Sequence, residues 1–242
     1  MVAQQITDRL QGLADSAKAE HLSRFFKTGP GQYGEGDAFL GVPVPYTRSV
    51  VRDYRKVVNI NDVDSLIRSQ WHEVRLAGFL LLIEIYLRAK RLRNGSEKAI
   101  VDYYLSVLDR GNNWDLVDLV APYILGDYLI GRPTEQRVLD QLVAMNGYLW
   151  RQRVGVVANW MIMRSGDFDS TFRIAEKMLT HKHDLIHKAT GWMLREAGKR
   201  GALERLKVFL DVYAPQMPRT MLRYSIEKLP EPERQHYLSL RP

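Results

Sequence analysis

Three helical segments of this chain share one pattern, and their spacing constrains the fold more than any other feature. They read "WHEVRLAGFLLL" from Trp71, "WRQRVGVVANWM" from Trp150 and "LIHKATGWMLRE" from Leu185. Each carries a basic residue, Arg75, Arg153 or Lys188, followed by apolar and small residues. Arg153 and Lys188 lie 35 positions apart, while the 78 positions from Arg75 to Arg153 leave room for two units. Asp118 falls between them, 43 positions after Arg75 and 35 before Arg153. A unit of this length holds one pair of helices, which cannot bury its apolar face alone and must stack on a neighbour.

The remaining sequence agrees with helices throughout. They are expected roughly at 3–14, 16–27, 46–58, 62–69, 71–92, 97–110, 114–130 (bent at Pro122), 134–145, 148–164, 168–180, 183–199, 202–213, 218–228 and 231–239. Asn61, Ser96, Thr134 and Asp167 are candidate N-caps. Asn94-Gly95 and Asn146-Gly147 fall between helical patterns and read as helix ends, where glycine takes the left-handed conformation. Connections are short except for a glycine-rich segment at 28–45. The expectation is an all-α chain forming one domain over 1–242, a curved α-solenoid of HEAT-like repeats with a concave basic face. In that register Arg75, Asp118, Arg153 and Lys188 approach the concave face. A non-repeating helical bundle is the alternative.

Charge adds a partner class. Lysine plus arginine is 35 against 28 acidic residues, a net charge of +7 and a pI near 9.5. Such a surface favours polyanions, because neutralised phosphates release condensed counterions. Solvated lysines alone would give the same balance. There is no cysteine, which removes disulfide and thiolate chemistry and fits an intracellular home. The first residues show no apolar secretion signal, and the longest apolar run, "LAGFLLLIEIYL" (76–87), is too short to span a bilayer and contains Glu84. It reads as a buried core helix in a cytoplasmic protein with no membrane partner.

Several constellations could carry chemistry. Gly29-Pro30-Gly31-Gln32-Tyr33-Gly34 matches G-x-G-x-x-G, but a helix precedes it where a dinucleotide site needs a strand. A rigid turn whose backbone N–H groups touch a DNA phosphate fits better. His183 and His187, with His181 nearby, share a face at i, i+4, yet no H-E-x-x-H accompanies them. Phosphate contact or a solvated surface is expected there, with no metal and no organic cofactor. Arg88, Lys90, Arg91 and Arg93 end one helix, and Arg195, Lys199 and Arg200 another, where cations complement the helix dipole or bind a phosphate backbone. Trp114 and Asp118 share one face at i, i+4. Asp115 points elsewhere, in the first turn, and reads as a helix-start charge. Trp192 lies four residues after Lys188 and three before Arg195, and Trp150 three before Arg153.

On "RFFKTGPGQYGEGDAFLGVPVP", "NNWDLVDLVAPYILGDYL", "WRQRV" and "HKATGWMLREAGKR" the chain resembles the AlkD-like DNA alkylation repair family of HEAT-like-repeat DNA glycosylases. The resemblance runs from about Phe25 to Arg223. It implies excision of cationic N3- and N7-alkylated purines from double-stranded DNA without flipping the base into a pocket; a solenoid of this size is expected to act as a monomer. The family's functional tryptophan, aspartate, arginine and second tryptophan fall on Trp114, Asp118, Arg153 and Trp192. Arg195, Lys188, Arg75 and Lys199 are the further candidate DNA contacts. A family lysine falls on Met161, a glutamine on Pro43 and a tyrosine on Phe25, departures that bear on DNA contacts. The rival readings are a non-catalytic module binding damaged or branched DNA and a protein-binding scaffold.

Overall fold

A computed structural model describes residues 1–240. Among these residues there is no strand, only an isolated parallel bridge between Ala38 and Trp71. The architecture is all-α, of the solenoid class, with helices packing largely on near neighbours in the chain. By packing it divides into two compact units, Met1–Val120 and a second beginning at Ala121.

The first unit contains α1 (Val2–Gln11), α2 (Ser16–Phe25), α3 (Val44–Tyr54), α4 (Ile60–Ile67), α5 (His72–Leu92), α6 (Glu97–Ser106) and α7 (Trp114–Asp118). α5 is its axis, and α1, α3, α4, α6 and α7 all pack on it. Every residue from His72 to Leu82 is buried, so the apolar run does form a core helix. Its first turn buries His72, Glu73 and Arg75 as well, which obliges each to find polar partners. Glu73 accepts the backbone N–H groups of Leu40, Gly41 and Val42 at 2.9, 2.8 and 3.1 Å. The loop before α3 is thereby fastened to α5. Inside that loop the Gly29 and Gly31 N–H groups are taken by the Gln32 and Glu35 side chains. They are committed to the turn itself.

The second unit contains α8 (Asp127–Leu129), α9 (Arg137–Val143), α10 (Leu149–Val157), α11 (Asn159–Ile162), α12 (Asp169–Lys177), α13 (Asp184–Ala197), α14 (Leu203–Tyr213), α15 (Arg219–Ser225) and α16 (Glu231–Ser239). It opens on a π-helical turn, Pro122–Gly126. Pro122 has no N–H to give, so the expected bend becomes a break between α7 and α8. α13 is the axis here, with α10, α12, α14 and α15 against it.

The small residues of the repeated pattern now have a reason. α4 meets α5 at Gly78, α9 meets α10 at Gly155, and α15 meets α13 at Gly191. At Gly78 a Cβ would lie 2.9 Å from the Ile67 backbone nitrogen, and at Gly191 2.5 Å from the Met221 carbonyl oxygen. Only hydrogen fits between such closely packed helices. The helix boundaries shift locally from expectation. α4 is capped by Asn59, whose side chain and that of Asp62 form a reciprocal capping box, and not by Asn61. α9 begins at Arg137, beyond Thr134. Gly95 and Gly147 have φ of 80° and 86°, the left-handed conformation expected of them, but they lie in the turns beyond the helix ends, since α5 is capped by Arg93 and α9 by Ala144.

Glycine to alanine inside a helix ordinarily stabilises by about 1 kcal/mol. At Gly191 the sign reverses: overpacking against Met221 and Tyr224 costs about 1–3 kcal/mol. Urea denaturation of Gly191→Ala is expected to show a lower midpoint than wild type.

Candidate active site

The segment Asn112–Asp118 is held by four buried ionisable groups. His72 donates from Nδ1 to Asp37 Oδ2 at 2.7 Å and from Nε2 to Asp115 Oδ2 at 2.8 Å. Arg75 completes the chain, with one terminal nitrogen 2.5 Å from Asp37 Oδ1 and 3.0 Å from Asn112 Oδ1. Its other terminal nitrogen donates to the Ser69 and Gln70 carbonyls. Asn113, fully buried, donates to Asp37 at 3.4 Å and accepts the Trp114 N–H at 2.9 Å. Ionised carboxylates only accept hydrogen bonds, so both imidazole nitrogens must carry a proton and His72 is an imidazolium. Burial opposes that charge, but hydrogen bonds to Asp115 and Asp37 outweigh it, and the pKa is raised to about 9. Asp37 is disfavoured by burial too, yet bonds to His72 and Arg75 bring its pKa below the usual range. Two anions and two cations balance.

Two expectations are corrected here. Arg75 is 3% exposed, and its terminal nitrogens serve Asp37, Asn112 and two carbonyls; it is a clamp residue and not a phosphate ligand. Asp115 does more than favour a helix start, since it binds the buried imidazolium. The sequence carried a hint of this: His, Glu and Arg within four positions at the head of a helix that is otherwise apolar.

An aromatic stack accompanies the clamp. Phe39 stacks on His72 with centroids 4.4 Å apart. Phe26 stacks on Phe39 at 5.1 Å and on Trp114 at 5.2 Å. Phe25, largely exposed, meets the Trp114 ring edge-on at 6.1 Å. Trp114 and Asp118 begin and end α7, one helical turn apart, and both are half-buried. The Asp118 charge, after burial, raises the pKa of the Tyr104 hydroxyl.

The other candidates belong to the second unit. Arg153 lies in α10, 5% exposed, and donates to the Leu185 carbonyl at 2.5 Å. Trp192 is half-buried in α13. Lys188 pairs with Asp184 at 2.8 Å. Arg195 bonds Glu227, and Arg195, Lys199 and Arg200 all approach the buried Glu196, at 3.4, 3.4 and 3.5 Å. One buried acid therefore fixes three cations at the end of α13. Arg164 and Arg200 also sit over the Trp160 ring, 5.2 and 5.0 Å from its centroid, a cluster the sequence pattern did not single out.

The histidines shape the turn that leads into α13. His181 Nδ1 accepts the His183 N–H, and His183 Nδ1 caps α13 by accepting the Leu185 N–H. His181 Nε2 faces Gln152 Oε1, and His187 Nε2 faces the His181 carbonyl. Burial, followed by the neighbouring His187, lowers the His181 pKa; burial also lowers that of His183. Both rings are neutral turn-formers, and both remain partly exposed. Among the described residues no group of three or more His, Cys, Asp or Glu could hold a metal ion. No helix among them is long and apolar enough to cross a membrane.

The sequence model of a family described as DNA alkylation repair enzyme matches residues 6–229. A solved structure described as a predicted DNA alkylation repair enzyme from Enterococcus faecalis is similar with a TM-score of 0.68. That likeness covers 90% of this chain and 97% of the other at 16% identity, and it establishes the shared fold. No curated protein sequence matches the chain.

The clamp has a definite pH signature. A histidine whose folded pKa is raised from 6.5 to about 9 stabilises the fold fully below pH 6.5, and that contribution is lost as pH rises through 9. Asp37, with a depressed pKa, adds stability that is lost as pH falls through the acid range. The melting temperature of wild type is expected to fall between pH 6.5 and 9. In His72→Ala that slope should flatten; parallel wild-type and variant profiles in thermal denaturation would contradict the ionised clamp.

Proposed function

This chain belongs to the DNA alkylation repair enzyme family, and on that premise we propose that it is a monofunctional DNA glycosylase. Its substrate is duplex DNA containing cationic N3- or N7-alkylated purines, and its products are the free base and an abasic site. The observation that carries this reading is the face of α7: a half-buried tryptophan and a half-buried carboxylate one turn apart, on a segment anchored by a buried ionic clamp.

The chemistry suits a single carboxylate. Glycosidases acting on neutral sugars use one carboxyl group to protonate the leaving oxygen and a second as nucleophile or base. An alkylated purine already carries positive charge, so it departs with the N-glycosidic electron pair and becomes neutral without a general acid. The barrier that remains is the oxocarbenium-like sugar. Asp118 supplies a fixed anion against it and orients the water whose oxygen bonds to C1′, with the water's proton passing to the carboxylate or solvent. Trp114, supported from behind by Phe26, offers a ring face to the cationic nucleotide, an attraction of about 0.5–2 kcal/mol. The resemblance assigns Arg153 to a phosphate near the lesion and Trp192 to the cationic nucleotide. Lys188, Arg195 and Lys199 add backbone contacts that position the duplex without reading its sequence. A lesion gripped in this way stays in the stack, in contrast with enzymes that flip the base into a pocket.

Asp118→Asn is expected to slow release of 7-methylguanine from methylated duplex DNA by about 10²-fold or more, the scale of losing one key electrostatic group. DNA affinity should survive. Unchanged release by this variant would refute the role of Asp118, and binding by wild type without any release would favour a non-catalytic DNA-binding module. Lys199 is exposed, and Lys199→Ala is expected to reduce the slope of log K against log salt by about 1. A wild-type slope would remove it from the phosphate contacts.

A further inference from the structure

The buried ionic chain reaches the α7 face by two physical routes. One is polar: His72 Nε2 binds Asp115, which lies in α7 between Trp114 and Asp118. The other is aromatic: the His72 ring stacks on Phe39 and lies 5.3 Å from Phe26, whose ring stacks on Trp114. α7 is only five residues long and cannot hold its own shape, since isolated helices of that length do not persist in water. Its geometry must come from what it is tied to.

We propose that the Asp37–His72–Asp115 chain is the positioning device of this face, fixing Trp114 and Asp118 against the 26–42 loop through one imidazolium that bonds both sides. The inference rests on the reading of Trp114 and Asp118 as the reacting groups, and His72, Asp37 and Asp115 are positioning residues that touch no substrate. The charged groups around the ring are few. Asp115 faces it from α7 and Asp37 from the loop. Arg75, on its own helix, bonds Asp37, and Arg110, on the turn Leu108–Arg110, feels both Arg75 and Asp37. Glu73, next in sequence, is committed to the Leu40, Gly41 and Val42 N–H groups. With the ring deprotonated, one of two opposed carboxylates loses its donor, and the tie between loop and α7 is cut on that side.

The two halves of the clamp can be separated chemically. An asparagine amide nitrogen reproduces Nδ1, so His72→Asn keeps a donor for Asp37 and loses the one for Asp115. A glutamine amide nitrogen reproduces Nε2, so His72→Gln keeps the donor for Asp115. Single-turnover release of 7-methylguanine at saturating enzyme is expected to fall about 10- to 100-fold in His72→Asn, the cost of misplacing a reacting group by about 1 Å. The loss in His72→Gln should be at least several-fold smaller. DNA affinity should change little in either. Folded variants with equal, wild-type rates at saturation would overturn the proposal and leave His72 a purely structural residue.

A second measurement leaves the clamp intact and needs no catalysis. In wild type labelled with ¹⁵N-tryptophan, the Trp114 indole resonance, assigned by its absence in Trp114→Phe, is expected to shift with a midpoint near pH 9, following His72. A Trp114 resonance that stays fixed from pH 7 to 10 overturns the positioning role, whatever the activity. If that resonance titrates while wild type releases no base, the clamp stands and the glycosylase reading is what fails.

Discussion

A protonated histidine held between two carboxylates is the interaction on which the first unit's candidate site depends. It joins three stretches of chain that are far apart in sequence: the loop before α3, the head of α5 and the turn into α7. Two of the three, the loop and α7, are poor in regular structure or short. The loop is irregular, with Lys27, Gly31, Gly36 and Gly41 all at positive φ, and α7 is little more than one turn. Removing one partner from such a buried set leaves an uncompensated charge, a loss of about 3–5 kcal/mol. An apolar replacement of the whole set would often be no less stable. What the ionic version adds is direction, because hydrogen bonds specify angles that oily contacts leave open.

The same economy governs the second unit's charges. A net charge of +7 reads at first as a diffuse basic coat. In the structure, Arg195, Lys199 and Arg200 gather around buried Glu196, with Arg195 also bound to Glu227. Arg164 and Arg200 are laid over one indole ring. Cations whose geometry is set beforehand lose less side-chain freedom on meeting a phosphate.

Much of the helical architecture was legible because its signals are local or periodic. The apolar run at 76–87 formed a core helix, the Asn-Gly pairs marked turns just beyond helix ends, and Pro122 marked a break. The repeated basic-apolar-small pattern was legible too, though its small members were read only as pattern. Their cause, backbone packed within reach of Gly78 and Gly191, is a contact between helices that a single strip of sequence does not display. Arg75 and Asp115 were misread for a related reason. Each has a sound local role available, groove cation for one and helix-dipole charge for the other. Their actual partners lie 38 and 43 positions away, at Asp37 and His72. His72 went unweighed because a lone histidine at a helix start has no spacing signature.

The two carboxylates of α7 illustrate how environment divides labour between chemically identical groups. Asp115 is buried against a cation that neutralises it, so its field is spent inside the protein. Asp118, three residues on, is half-buried at the other end of the same turn, and its charge reaches the Tyr104 phenol. A site meant to stabilise a transient sugar cation needs an anion that is near the surface and rigid, two demands that oppose each other for an exposed aspartate. Tying the neighbouring aspartate to a buried imidazolium reconciles them: the helix turn is immobilised through Asp115, and Asp118 is carried on it with its charge still uncommitted to that imidazolium. In the proposed mechanism the rigidity and the reactivity reside in different residues of one short helix, and the sequence "WDLVD" holds both.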